Sequence, residues 1–225
     1  MAGHSVGEYT ALVCAGALKF ADALPLVRFR AEAMQEAVPV GEGAMAAIFG
    51  LDGAPLREAC AEAAQGRVVE PVNFNAPGQT VIAGHKDAVA RTIDLAKARG
   101  VRLAKLLPVS APFHSSLLKP AADRLAARLG EVEFTSPRIP VINNVDVAVQ
   151  GEPAAIRDAL ARQACNPVRW VELVHAMVGR GITGLVECGP GKVLTGLARR
   201  IVPDTPAYSL ADDASLRQAC DAVTK

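Results

Sequence analysis

Hydrophobic and polar positions divide the chain into two parts with different periodicities. Before position 40 and after position 109, apolar residues recur at helical spacings of three and four, interrupted by short apolar runs. These runs, at 140–143, 184–187 and 208–210, predict buried strands. The predicted helices lie at about 5–13, 21–37, 116–129, 153–165, 171–180 and 193–200. Strands that alternate with helices in this way predict a mostly parallel sheet in an α/β fold.

The central segment, residues 40–109, shows a different order of elements. Its predicted strands lie at about 44–49, 68–73, 79–83 and 102–107, and its predicted helices at 55–64 and 86–98. The order strand-helix-strand-strand-helix-strand is the ferredoxin-like split arrangement. We therefore expect a ferredoxin-like α+β subdomain that is inserted into a discontinuous core of residues 1–39 and 110–225.

Composition narrows the class of protein. The 24 basic and 23 acidic residues nearly cancel, which argues against a chain that binds nucleic acid through an overall basic field. No apolar run reaches the ~20 residues that span a bilayer, and the first residues lack the layout of a secretion signal. The five cysteines are scattered, and none forms a CxxC pair or has a histidine at metal-ligand spacing. We expect a cytoplasmic monomer without a metal or a membrane segment.

The sequence Gly3-x-Ser5-x-Gly7 is the main candidate for chemistry. It matches the nucleophile elbow, a sharp strand-to-helix turn that lifts a serine hydroxyl out of the backbone. The N-terminus of the following helix offers N–H groups to a developing oxyanion. A GxSxG match alone is weak. The helical residues that follow, and the restrictive string Gly-His-Ser-Val-Gly-Glu-Tyr, strengthen it.

A serine nucleophile needs a base, and four histidines compete for this role. His4 adjoins the serine, and neighbours on an elbow point in different directions, so we expect it to line the pocket. His85 fits a surface loop, and His175 fits a packed or half-exposed position within a helix. His114 lies in a loop where the chain returns from the insertion to the core, and catalytic groups gather in such loops. Position alone favours His114 only slightly.

Arg30 is a candidate for holding a carboxylate, because a guanidinium binds one through two parallel hydrogen bonds. It lies in the helix that follows the elbow helix. A solvated arginine that pairs with Glu32 is the more common arrangement, and Arg28 shares this ambiguity.

Several blocks of the sequence are similar to the malonyl-CoA:acyl-carrier-protein transacylases of dissociated fatty-acid synthesis, and more distantly to the acyltransferase domains of polyketide synthases. The blocks are GHSVGEY from Gly3, GAMAAI from Gly43, PVNFNAPGQ from Pro71, PFHS from Pro112, NNVD from Asn143 and ECGPGKVL from Glu187. They run nearly from end to end in the family's order. The resemblance implies an α/β-hydrolase-like core with a ferredoxin-like insertion, in agreement with the periodicities.

The resemblance also implies catalytic roles. Ser5 would be acylated by malonyl-CoA, with His114 as its base. The backbone carbonyl of Gln163 would orient the histidine in place of the acid of a triad. The backbone N–H of Val6 would contribute to the oxyanion hole.

Further residues match positions that meet the substrate in the family. Arg30 would hold the malonyl carboxylate, and Phe113 matches a residue that favours malonyl over methylmalonyl groups. The residues expected to line the cleft or to meet coenzyme A are His4, Asn73, Asn75 and Gln79.

The implied reaction is a ping-pong transfer of malonyl from malonyl-CoA to the phosphopantetheine thiol of acyl carrier protein, through a malonyl-Ser5 ester. Coenzyme A enters as the thioester substrate, and no cofactor is implied. Only Met1 and Ala2 precede Gly3, whereas the family carries a further N-terminal region with a Gly-Gln-Gly loop. We therefore expect this chain to lack that region, which leaves its own activity open.

Two other functions compete with this interpretation. A non-catalytic remnant that binds coenzyme A or carrier protein would fit the short N-terminus. A serine esterase would also use Ser5, but it needs a triad acid, and the sequence offers no clear one.

Overall fold

The computed structural model describes residues 1–223. The chain forms two compact units, Met1–Trp170 and a second that begins at Val171. The helices of the first unit are α1 (Gly7–Cys14), α2 (Phe20–Glu36), α3 (Gly53–Ala64), α4 (Lys86–Ala98), α5 (Lys119–Gly130) and α6 (Pro153–Gln163). Its strands are β1 (Gly43–Phe49), β2 (Val69–Ala76), β3 (Gln79–His85) and β4 (Leu103–Leu106).

The second unit is smaller and consists of short elements. They are α7 (Trp170–Val178, which begins at the end of the first unit), β5 (Leu185–Glu187), α8 (Val193–Ile201), β6 (Ala207–Ser209) and α9 (Asp213–Val223). The strands β5 and β6 pair in parallel on either side of α8 in the sequence. The side chain of Thr195 in α8 joins them, because its Oγ1 lies 2.7 Å from the carboxylate of Glu187 and 3.0 Å from the carbonyl oxygen of Tyr208.

Strands β1 to β4 form one antiparallel sheet in the order β2-β3-β1-β4. With α3 and α4 they follow one another in the order that the periodicity predicts for residues 40–109. Ala46 and Ile48 of β1 pack on the side of the sheet that carries both helices, and Met45 and Ala47 pack on the other side. This alternation is the two-residue period of a strand with two covered faces. The identification of the segment as a ferredoxin-like insertion stays a prediction.

The largest core of the first unit lies between helices. Leu12 of α1, Leu26 of α2, Leu125 of α5 and Leu160 of α6 are all buried in it. Leu26 and Leu160 are fully inaccessible to solvent, so this core fixes the positions of the helices that begin or end near Ser5.

The α/β class is confirmed, and the pairing between strands is mixed. Parallel pairing occurs between β5 and β6, at Ala2 with Ile142, and at Asn73 with Val168. The strand predicted at 140–143 is therefore a single bridge residue, although Val141 and Ile142 are buried as expected. Within residues 1–223, no helix has the length and apolarity needed to cross a bilayer.

The apolar periodicity did not predict α9. Asp212 precedes this helix, and its carboxylate accepts a hydrogen bond from the backbone N–H of Ser215, while the Ser215 hydroxyl accepts one from the N–H of Asp212. This reciprocal arrangement is a capping box. Its signal in the sequence was a polar residue, Asp212, with a second polar residue, Ser215, three positions after it.

Replacement of Gly84 by Ala tests the packing of β3. An added Cβ would lie 2.1 Å from the backbone oxygen of Val68, in the segment that leads into β2. We expect Gly84→Ala to lower the free energy of unfolding by about 2 kcal/mol, since overpacking against backbone forces the strands apart. Gly130→Ala is the control, because its Cβ would meet nothing within 4 Å. Equal urea midpoints for the two variants would contradict this packing.

Candidate active site

The turn at Ser5 is held in an unusual backbone conformation. Ser5 has a φ of 53°, which is uncommon for a residue with a side chain. Asn144 spans the turn, since its side-chain oxygen accepts from the N–H of Ser5 at 2.7 Å and its side-chain nitrogen donates to the carbonyl of Gly3 at 2.7 Å. An added Cβ at Gly3 would lie 1.9 Å from the carbonyl oxygen of Gly7, whereas one at Gly7 would meet nothing within 4 Å. Only the first glycine of the motif is therefore required by close packing.

Ser5 contacts His114, the histidine that its place in the sequence favoured slightly over the other three. The Oγ of Ser5 lies 2.8 Å from Nε2 of His114, and Nδ1 of His114 lies 2.8 Å from the backbone carbonyl of Gln163. Because a carbonyl can only accept, Nδ1 carries the proton and Nε2 presents a lone pair to the serine hydroxyl. Burial, with a contribution from the charge of Arg30, lowers the pKa of His114 to about 3. The imidazole is therefore neutral in the free protein.

Arg30 lies beside the same hydroxyl. Its Nη2 donates to Ser5 Oγ at 3.0 Å and to the side-chain oxygen of Gln163 at 3.0 Å. The residue is only 7% exposed, and its Nε has no acceptor among the described residues. The guanidinium carbon lies 5.7 Å from the centre of the Tyr9 ring. A buried cation with an unused donor next to a nucleophile can receive an anionic group from a substrate.

Glu8 completes the group from the first turn of α1. It is 2% exposed, and its Oε2 accepts from the backbone N–H of Asn144 at 2.9 Å and from Nε2 of Gln163 at 2.8 Å. Burial raises the pKa of Glu8 to about 7, against the opposing effects of these two hydrogen bonds and of Arg30. The sequence patterns assigned no role to Glu8 or Asn144. The available signal was their presence in two blocks quoted for the resemblance, GHSVGEY and NNVD.

The other three histidines have different surroundings. Nε2 of His4 lies 2.8 Å from the side-chain oxygen of Asn75, and its ring centre lies 5.4 Å from that of Trp170. Nδ1 of His85 accepts from the N–H of Val68, and His175 is exposed on α7. The geometry therefore singles out His114 as the partner of the serine.

The remaining predicted residues lie in several different elements of the fold. Asn73 pairs with Val168, and its buried side-chain oxygen has no partner in the described part of the chain. Phe113 packs against both the helical core and the face of the sheet that carries Met45 and Ala47. Val6 precedes α1 and is 46% exposed. Gln79 opens β3 opposite Ala76, and its contact with coenzyme A stays a prediction.

Two further observations concern charged groups. Arg28, which shared the ambiguity of Arg30, is exposed and pairs with Glu32 at 2.8 Å. Among residues 1–223, no group of three or more His, Cys, Asp or Glu side chains is arranged to hold a metal ion.

Comparison with known proteins gives close matches over almost the whole chain. The acyl transferase domain family matches residues 1–211. The malonyl CoA-acyl carrier protein transacylase of Escherichia coli K12 is 56% identical over 98% of this chain and 72% of its own length. An acyl-carrier-protein S-malonyltransferase from Burkholderia pseudomallei superposes with a TM-score of 0.96 at 59% identity, over 98% of this chain and 72% of that one. A malonyl-transacylase solved with its type II polyketide-synthase acyl-carrier protein superposes with a TM-score of 0.97 at 54% identity. The match covers 99% of this chain and 72% of that one.

Replacement of Gly3 tests the geometry of the serine turn. Gly3→Ala would place a Cβ against the Gly7 carbonyl and displace Ser5 from His114. We expect the rate of Ser5 modification by phenylmethylsulfonyl fluoride, followed by intact mass, to fall about 100-fold, because misplacement by about 1 Å has effects of this size.

Gly7→Ala is the matched control, with unhindered space for its Cβ and an expected rate close to that of the parent. A Gly3→Ala protein that reacts as fast as the parent would show that the close approach to Gly7 does not set the position of the hydroxyl.

Proposed function

The chain belongs to the acyl transferase domain family, and we propose on this basis that it transfers a malonyl group from malonyl-CoA to the phosphopantetheine thiol of an acyl carrier protein. The observation that carries the proposal is a buried arginine 3.0 Å from a serine hydroxyl that is itself paired with a neutral histidine. The relative that was solved with its acyl-carrier protein supports the choice of acceptor. In this proposal the donor is a coenzyme A thioester, no other cofactor takes part, and the reaction occurs in the cytoplasm.

The first half-reaction forms an ester on Ser5. The hydroxyl attacks the thioester carbonyl while Nε2 of His114 takes its proton. The N–H of Val6 has no backbone acceptor among the described residues, which leaves it free to stabilise the oxyanion. The tetrahedral intermediate then collapses, and the histidine returns the proton to the departing sulfur of coenzyme A. The products are malonyl-Ser5 and free coenzyme A.

The second half-reaction reverses these steps with a different thiol. His114 takes the proton of the phosphopantetheine thiol as its sulfur attacks the malonyl ester. Collapse of the intermediate expels the Ser5 oxygen, which recovers its proton from the histidine. The Gln163 carbonyl keeps Nδ1 protonated in both halves, so the same nitrogen serves as base and as acid.

Selection of the acyl group depends on Arg30. A malonyl carboxylate can accept hydrogen bonds from the guanidinium, including its unpartnered Nε, whereas an acetyl group would leave that buried donor unpaired. Phe113 would limit the space for a branched methylmalonyl group. The remaining candidates for the walls of the substrate cleft are His4, Asn73, Asn75 and Gln79.

The competing functions have less support from this geometry. An esterase triad would place a carboxylate on Nδ1 of His114, but Nδ1 lies at the Gln163 carbonyl. The buried carboxylate of Glu8 is bonded instead to Gln163 and Asn144. A non-catalytic remnant would have no need to keep Ser5, His114 and Arg30 in hydrogen-bonding contact.

Intact-mass spectrometry after mixing with malonyl-CoA tests the nucleophile. We expect a single malonyl adduct on the parent chain and none on Ser5→Ala, because only the Ser5 hydroxyl is paired with His114. Subsequent addition of holo acyl carrier protein should remove the adduct and place it on the carrier. An adduct that persists in folded Ser5→Ala, or a folded parent that acquires none, would overturn the proposal.

Replacement of Arg30 tests acyl selection. Arg30→Ala should lower the ratio of malonyl to acetyl transfer by about 10- to 100-fold, the range expected for loss of a charged hydrogen-bond partner. Arg28→Ala is the control, since Arg28 is exposed and pairs with Glu32. The measurement is the initial rate of each acyl transfer to holo carrier protein. The same ratio in parent and Arg30→Ala would exclude this role.

A further inference from the structure

The side-chain amide of Gln163 lies between two buried charged groups. Its oxygen accepts from Nη2 of Arg30 at 3.0 Å, and its nitrogen donates to Oε2 of Glu8 at 2.8 Å. The same nitrogen lies 3.1 Å from the carbonyl oxygen of Ser5. Gln163 itself is fully inaccessible to solvent. The amide therefore connects a guanidinium to a carboxylate inside the protein, next to the nucleophile.

Glu8 balances the charge of Arg30 in the free protein. Among the described residues, Glu8 is the only buried carboxylate and Arg30 the only buried lysine or arginine. A buried guanidinium without an opposite charge nearby is strongly destabilising. The electrostatic attraction between the two groups raises the pKa of Arg30 and lowers that of Glu8, in each case against the larger effect of burial.

Other titratable groups around Glu8 do not take over this role. Asp146, in the loop after Asn144, is exposed, and its carboxylate accepts from both terminal nitrogens of Arg162 at 2.8 and 2.7 Å. Tyr9, on the same helix, is kept neutral because burial raises its pKa. His114 is neutral as well, since burial lowers its pKa to about 3. The charge balance of the site is thus set by Arg30 and Glu8.

A second carboxylate would upset this balance. An acyl group with a free carboxylate on Arg30 would place two anions around a single buried cation, and like charges in one site cannot both remain ionised without cost. We infer that Glu8 is the resident counter-charge of Arg30 and takes up one proton from solvent when an acyl group with a free carboxylate binds to Arg30. The inference rests on the proposed function, in which Arg30 holds that carboxylate.

The hydrogen bonds of Glu8 permit this change. Both donors, the N–H of Asn144 and Nε2 of Gln163, reach the same oxygen, Oε2. A proton on Oε1 leaves Oε2 as an acceptor, so the positions of Gln163 and His114 are kept in both states. Burial already raises the pKa of Glu8 to about 7, which places the change within reach of ordinary assay conditions.

Proton uptake has a definite sign in binding measurements. Because the protonated form of Glu8 favours the bound carboxylate, malonyl affinity should decrease as the pH rises above 7. The limiting slope is about tenfold in Kd per pH unit when one proton is taken up. An acetyl group brings no carboxylate, so acetyl-CoA should show no such slope.

Calorimetry on Ser5→Ala separates binding from acyl transfer. Malonyl-CoA is titrated into this variant at pH 8 in two buffers with different ionisation enthalpies, and the difference in heat gives the protons taken up per ligand. We expect uptake close to one proton for malonyl-CoA after subtraction of the value for acetyl-CoA, which carries the same titrating phosphates. At pH 5.5, where Glu8 is already protonated, the difference should fall to about zero.

The double variant Ser5→Ala/Glu8→Gln identifies the group that titrates. Glutamine keeps an acceptor oxygen for Asn144 and Gln163 but cannot ionise, so malonyl-CoA should bind at pH 8 without proton uptake. Uptake that persists in this variant, or malonyl binding to Ser5→Ala without uptake at pH 8, overturns the inference and leaves the proposed function intact. If Glu8→Gln does not fold, the comparison of pH 5.5 with pH 8 in Ser5→Ala still decides. A Ser5→Ala protein that binds acetyl-CoA and malonyl-CoA equally at both pH values overturns the carboxylate role of Arg30 itself.

Discussion

The hydrogen bonds of Asn144 to the backbone on both sides of the serine turn are the constraint on which the site depends. Ser5 would otherwise leave a conformation that few residues with side chains adopt. Asn144 holds Gly3 and Ser5 with its side chain and is itself held through its backbone N–H by Glu8. Glu8 in turn holds Gln163. Segments separated by more than a hundred residues therefore fix the nucleophile together.

The same hydrogen-bond network sets both the base and the cation. Gln163 uses its backbone carbonyl to orient His114 and its side-chain oxygen to receive Arg30. An amide in this position brings no charge of its own, unlike the carboxylate of a triad. The histidine thus stays neutral beside a buried guanidinium, and the single compensating charge is the carboxylate of Glu8, one hydrogen bond further away.

Sequence patterns predicted those features that depend on local spacing. The alternation of apolar residues gave the strands and helices of residues 40–109 in their correct order, and the elbow motif with its resemblance pointed to Ser5, His114 and Arg30. Features that depend on a partner distant in the chain were harder to predict. The strand expected at 140–143 shortens to a bridge at Ile142 because pairing requires a neighbouring strand, and apolar content does not specify one. Glu8 resembles an exposed carboxylate at a helix start until its burial is known.

The left-handed backbone at Ser5 also restricts which nucleophiles evolution could place there. A hydroxyl is chemically available from threonine, but its β-branch crowds a backbone with a φ of 53°. Cysteine has the same branching as serine and would enter the turn without that steric conflict. The conformation of one residue thus separates two alcohols of nearly equal reactivity. Replacement of this serine by cysteine would therefore disturb the backbone of the turn less than replacement by threonine.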